Sequence, residues 1–383
     1  MKKFLESCAD KWLAFTPNVY ECTRVKKDGV RSVFYDGING TRVFAFIGLP
    51  ENASKEHPVP AMVLVHGGLG TAFSQWVRYW NEQGFAAISM DTCGALPLQE
   101  GEPTIPGDYP RHEWSGPKGW GAMLQGDWDP EYQWFTHAES AIMFGHNLLR
   151  SMPEIDPDRI GITGVSWGAV LTLIAAGIDP RYKAVVPVYG NGFLHENNRN
   201  NNADWQKMES HGKEWWDAQW DPQNFISKIK APVLWFASSN DWTLFYPDSW
   251  EKSTELIPDE KCDRCMKIRW PHAHGECSEK QPEIFAFCRQ HLMNGTPRTV
   301  LQNVRIENDK LCCSYTGTEP FSVTLSVTRD RDENWFGRYW DSYSAAYDEK
   351  NISARLPADW VAAYITLTMA DMQTVTSKIV FRP

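Results

Sequence analysis

The sequence predicts an α/β protein: a mostly parallel sheet with helices on both faces, followed by a small C-terminal all-β sandwich. Apolar runs of strand length alternate with helical patterns over most of the 383 residues. Beyond Asn294-Gly295-Thr296-Pro297 the apolar period changes to two. Between these, Gly164-Val165-Ser166-Trp167-Gly168 joins a strand-like run, Ile160 to Thr163, to a small-residue helix pattern, Ala169 to Ala176.

The first 50 or so residues read as an amphipathic helix and then strands, with Asn39-Gly40 a hairpin turn before Val43 to Ile47. This segment is expected at the outer edge of the sheet. The strands that follow are Ala61 to Val65, Ala86 to Met90, Ile160 to Thr163, Ala184 to Val188, Val233 to Ala237 and Cys265 to Trp270. Largely apolar and separated by helical segments, they fit a mostly parallel sheet covered by helices on both faces. Two insertions, near 95–130 and 191–225, are rich in Trp, Gly, Pro or Asn and lack periodicity, as functional loops do. Helix Pro282 to Met293 ends at Asn294-Gly295, which gives one unit over 1–293 and a second over 298–383. In the second, Val323, Leu325 and Val327 alternate with Thr324, Ser326 and Thr328, and Ile365, Leu367 and Met369 alternate with Thr366 and Thr368. Such alternation suits an antiparallel sandwich.

Composition excludes some partners. A formal charge of -10 and no Lys/Arg cluster argue against nucleic acid. No run approaches the apolar length needed to span a bilayer, and Met1 to Trp12 is too polar for a signal-peptide core. Nine irregularly spaced cysteines suit reduced thiols. The expectation is a soluble, cytoplasmic protein without membrane or nucleic-acid partners; whether it forms a homo-oligomer is left open.

A G-x-S-x-G turn from strand to helix strains the serine backbone and lifts the hydroxyl clear of the sheet, so Ser166 is the candidate nucleophile. The hydroxyl needs an imidazole to accept its proton, and the imidazole needs a carboxylate. Ser238-Ser239-Asn240-Asp241 follows one strand run and Pro271-His272-Ala273-His274-Gly275 another, so Asp241 is the expected acid and His274 the expected base. His272 remains an alternative base; His274 is preferred because Gly275 permits a sharp turn. The glycines of His66-Gly67-Gly68-Leu69-Gly70 let main-chain amides approach a substrate as oxyanion donors, and the amide of Trp167 is the second candidate. His66 is expected to order that loop.

These residues resemble the α/β-hydrolase superfamily, in particular its acetylxylan-esterase-like and prolyl-oligopeptidase-like (dienelactone-hydrolase-like) branch. The resemblance covers roughly 40–293 and rests on four features: His66-Gly67-Gly68, Ala86 to Asp91 with Cys93-Gly94, Asp156-Pro157-Asp158-Arg159, and above all the serine turn. It implies hydrolysis through an acyl-enzyme, with Ser166, Asp241 and His274 as triad and Gly68 and Trp167 as oxyanion donors.

Nineteen tryptophans suggest flat surfaces for sugar rings, with Trp120, Trp128 and Trp216 as candidate substrate-binding residues; the alternative is that tryptophans pin irregular loops. Trp167 beside the nucleophile favours a short acyl group. The expected activity is therefore carboxylic-ester hydrolysis, as a short-chain (acetyl) esterase on an acylated carbohydrate or small ester. Two alternatives stand: a serine peptidase of prolyl-oligopeptidase type, with Glu100, Glu102 and Asp108 as an amine clamp, and a binding protein that retains the fold without turnover. No cofactor is expected. Cys262-x-x-Cys265 with His272, His274 and Cys277 superficially resembles a zinc cluster, but a strand divides it and a metal would consume the base, so no metal is expected.

Overall fold

The computed structural model describes residues 3–97, 109–119, 122–197, 206–243 and 245–383. Its centre is a nine-stranded sheet built from β1 (Val19–Glu21), β2 (Arg31–Asp36), β3 (Arg42–Gly48), β4 (Val59–Val65), β5 (Ala86–Met90), β6 (Ile155–Val165), β7 (Ala184–Val188), β8 (Val233–Ser238) and β9 (Cys262–Lys267). The order is β1-β2-β3-β5-β4-β6-β7-β8-β9. The first four strands in that order pair antiparallel, and from β5 to β9 every pairing is parallel. The hairpin between β2 and β3 turns through Asn39 and Gly40, both with left-handed backbone (φ 52° and 75°), the combination a tight hairpin requires.

Alternate strand residues feed two cores. Val63, Val65, Ile88 and Ile162 face α1 (Phe4–Leu13), α3 (Trp134–Ser151) and α4 (Trp167–Ile178). Met62, Leu64, Ala87 and Val186 face α2 (Ser74–Glu82) and helix Pro282–Leu292. Both faces being covered explains why these strands read as unbroken apolar runs. Strand β6 begins five residues before the expected Ile160, at Ile155. There Asp156 accepts from the Asp158 amide (3.0 Å) and from Arg159 Nε (2.7 Å), and the pairing with β4 shifts register. Strand β9 ends at Lys267, short of the expected Trp270, because Arg269 turns into the left-handed region (φ 49°).

The C-terminal part is two antiparallel sheets. One comprises β10 (Val300–Glu307), β11 (Lys310–Thr316), β14 (Ala346–Asp348) and β15 (Asn351–Arg355). The other comprises β12 (Ser322–Thr328), β13 (Asp341–Ser344), β16 (Ala362–Thr368), β17 (Thr374–Thr376) and β18 (Val380–Phe381). Leu325, Val327, Ala363 and Ile365 fill the space between the sheets. On the opposite face, Ala362 and Tyr364 join Trp335 and Ile379 in the large core shared with the nine-stranded sheet. The docking is also polar: the Met266 amide donates to Thr376 Oγ1 (3.1 Å), the Thr374 amide to Glu283 (3.0 Å), and the Ile379 amide to Glu251 (2.7 Å). Ser326 and Thr328, the polar residues of the alternation on β12, are consequently buried.

One buried group has a consequence for pH. Glu139 on α3 is fully buried, with neither carboxylate oxygen hydrogen-bonded among the described residues, and burial holds its pKa well above the ordinary 4.5. The folded state therefore keeps the proton that the unfolded chain loses, so stability is full below pH 4.5 and declines as pH rises above it. Glu139→Gln is expected to melt with wild type near that pH and at least about 2 °C higher at pH 8. Melting curves over this range check it; a difference independent of pH would count against it.

Candidate active site

Ser166 sits where β6 passes into α4, with φ 59° and ψ -121°, a conformation that costs of order 1–3 kcal/mol outside glycine. The surrounding chain holds it there: the Ser166 amide donates to Val188 O (2.8 Å), and its carbonyl accepts from the amides of Ala169 (2.8 Å) and Val170 (3.2 Å). The flanking glycines are steric necessities. A Cβ on Gly164 would lie 2.2 Å from Gly168 O, and one on Gly168 would lie 2.1 Å from Val65 O.

The loop leaving β4 runs directly alongside. A Cβ on Gly67 would stand 3.1 Å from the Ser166 Cβ, and one on Gly68 would stand 3.0 Å from the Trp167 ring. Trp167, at the first position of α4, has no helical carbonyl for its amide. The two residues expected to supply oxyanion donors thus lie close together, with the loop against Ser166. His66 orders this loop: its Nδ1 donates to Gly67 O (2.8 Å) and its Nε2 accepts from the Thr92 amide (2.9 Å). Burial keeps its pKa below the ordinary imidazole range, consistent with a neutral ring that accepts a hydrogen bond.

The histidine loop departs from expectation. Asp241 pairs with His272, not with His274: Oδ2 accepts from His272 Nδ1 at 2.6 Å. Asp241 is 1% exposed, and its other oxygen accepts from the Thr243 amide (2.8 Å) and from the Thr243 hydroxyl. His272 lies among Tyr189, Phe245 and Trp242, with ring centroids 5.0, 5.9 and 6.0 Å away. With its proton on Nδ1 and given to Asp241, its Nε2 carries the lone pair a general base needs. His274 has its own carboxylate, since Nδ1 donates to Glu279 Oε1 at 2.7 Å. Its Nε2 accepts from the Gly67 amide at 2.9 Å, so both nitrogens are engaged. Gly275 does make the expected sharp turn, at φ 97°.

The tryptophans divide. Trp216 is 1% exposed, and its indole packs against Phe135 (5.7 Å); a face used in the core cannot stack on a sugar, which corrects its reading as a substrate platform. Trp220 stacks on the same phenyl ring (5.4 Å), and Phe135 in turn meets Trp167 (6.2 Å). The second insertion is thereby pinned, through Phe135, beside Trp167. Trp128 is 49% exposed, whereas Trp120, Glu100, Glu102 and Asp108 lie outside the described residues. Cys262 and Cys265 belong to opposite cores of the sheet and cannot converge on one ion.

Phe135, Glu279 and Tyr189 were not singled out in the sequence. Glu279 had one faint signal, a carboxylate five residues beyond a histidine on a short turn.

Among the described residues no helix is long and apolar enough to cross a membrane. Residues 10–208 match the acetyl xylan esterase (AXE1) family, a segment that contains Ser166 and both oxyanion candidates and stops before Asp241. The acetyl xylan esterase of Paenibacillus sp. R4 has a similar fold, with TM-score 0.57, 20% identity, and 75% of this chain and 93% of that chain covered. The Pyrococcus horikoshii acylaminoacyl peptidase aligns with TM-score 0.53 and 18% identity over 72% of this chain and 44% of that one. Among curated relatives, the probable dipeptidyl-peptidase 5 of Aspergillus flavus is 24% identical over 226 residues, 56% of this chain. The acetyl esterase Axe7A of Xylanibacter ruminicola is 24% identical over 249 residues, 59% of this chain. The chain spans 28% and 50% of the lengths of these two relatives. With more than half of its residues in the family match, the chain belongs to the acetyl xylan esterase (AXE1) family, on an α/β-hydrolase fold.

Proposed function

We propose that the protein is a serine esterase that removes short acyl groups, acetyl foremost, from a carbohydrate or other small ester. The observation that carries this reading is Ser166 held at φ 59° on the elbow, with the Gly67-Gly68 loop packed against Ser166 and Trp167. His272 Nε2 takes the Ser166 proton as Oγ attacks the ester carbonyl, and Asp241 stabilises the resulting imidazolium. The Gly68 and Trp167 amides hold the developing oxyanion. His272 then protonates the departing alcohol, and a water attacks the acyl-enzyme by the same route. His274, anchored on Glu279, holds the Gly67 amide and so sets the course of the oxyanion loop. Assigning the base to His272 revises the sequence-based choice of His274, and the support is the Asp241 hydrogen bond.

The indole of Trp167, backed by Phe135, narrows the acyl side. Hydrolysis of p-nitrophenyl acetate is expected to exceed that of p-nitrophenyl octanoate by at least ~10-fold in kcat/KM. Comparable rates would contradict the short-acyl assignment. The likeness to peptidases favours one second reading, amide hydrolysis on short peptides. Turnover of aminoacyl p-nitroanilides faster than of acetylated xylo-oligosaccharides would favour it.

A further inference from the structure

We infer that the C-terminal sandwich is part of the catalytic apparatus, and that Asn240 is the positioning residue through which it fixes the acid loop. The inference rests on Asp241 and His272 being the acid and base.

Asn240 immediately precedes Asp241 and is 4% exposed. Its Oδ1 accepts from the Ser239 hydroxyl (2.7 Å), which orients the amide. Its Nδ2 then lies 3.0, 3.1 and 2.8 Å from the carbonyls of Trp335, Phe336 and Arg338, all in one turn of the sandwich. The Arg338 carbonyl also accepts from Arg269 Nη2 at 3.0 Å. Arg269 belongs to the loop that leads to His272, and its amide donates to Ser239 Oγ at 3.3 Å. One carbonyl of the sandwich thus ties together the acid loop and the base loop.

The turn is itself rigid. The Arg338 guanidinium lies 3.5 Å over the Trp335 ring, and its Nε donates to Asp332 O at 2.7 Å. Asn334 Oδ1 accepts from the Phe336 amide (3.1 Å), and Trp335 is buried in the core shared with the nine-stranded sheet. A carboxylate–imidazole pair must be held to a fraction of an ångström, and a displacement near 1 Å costs ~100-fold in rate. Neither loop is regular structure, so a buried amide and a fixed row of carbonyls supply the rigidity that the strands do not.

The test is steady-state hydrolysis of p-nitrophenyl acetate by Asn240→Ala, by isosteric Asn240→Asp, and by Trp335→Leu on the sandwich side, with folding checked by circular dichroism. Asn240→Asp opposes an oxygen to three carbonyl oxygens and should lose most. The expected signature is a kcat loss of ~10- to 100-fold with KM little changed. Wild-type kcat in all three variants, with only a lowered melting temperature, would overturn the inference. Asp241→Asn separates the two levels: if it is inactive while the Asn240 variants are normal, this inference alone fails. If Asp241→Asn keeps wild-type kcat, the acid assignment and this inference fall together.

Discussion

Ser166→Ala is expected to lower kcat toward p-nitrophenyl acetate by roughly 10⁴-fold or more, leaving the fold and melting temperature near those of wild type. The loss is large because the proposed mechanism runs through this hydroxyl, and oxyanion donors without a nucleophile retain only a small residual rate. The stability effect should be small for a physical reason. Ser166 is held at φ 59° by its own backbone contacts, to Val188 O, Ala169 N and Val170 N, and these survive removal of the hydroxyl. Alanine is no less tolerant of that backbone than serine. Equal rates in variant and wild type, after identical purification, would remove Ser166 from the mechanism.

The second large effect separates two histidines that lie two residues apart. His272→Ala is expected to reduce kcat by roughly 10³-fold or more, since it removes the imidazole hydrogen-bonded to Asp241. His274→Ala is expected to cost ~10-fold, through loss of the acceptor that holds the Gly67 amide. The pH profiles should differ as well: His274→Ala retains an acid limb, because the group that must be neutral is still present, and His272→Ala loses it. The reverse ordering would make Ser166, His274 and Glu279 the working set and return the base to the residue that the sequence favoured.

The contrast between these histidines shows where sequence reasoning ends. The sheet was legible because each parallel strand is buried on both faces, as the unbroken apolar run Ala184–Val188 shows, and because helices α2 and α4 fall between strands. The tight strand-to-helix turn at Ser166 was legible because Gly164 and Gly168 answer clashes that any Cβ would create. Which imidazole meets Asp241 was not, because both histidines leave β9 on one irregular loop, and their directions depend on Arg269 at φ 49° and Gly275 at φ 97°. No periodicity encodes those angles. Trp216 misled for a related reason: an indole in an aperiodic insertion reads alike whether it faces substrate or, as here, Phe135. The anchoring of Asn240 was unreadable, since its partners are carbonyls about 95 residues further along the chain. The burial of Ser326 and Thr328 was not legible, because period-two alternation cannot show that a sheet has a second buried face.

The central claim is that Ser166 is a nucleophile activated within this site, and covalent capture tests it most directly. The protein would be treated with a fluorophosphonate at neutral pH and the adduct mapped by peptide mass spectrometry. The predicted result is one adduct per chain, on Ser166, formed far more slowly in His272→Ala. An adduct on another residue, or none while esterase activity persists, would contradict the account.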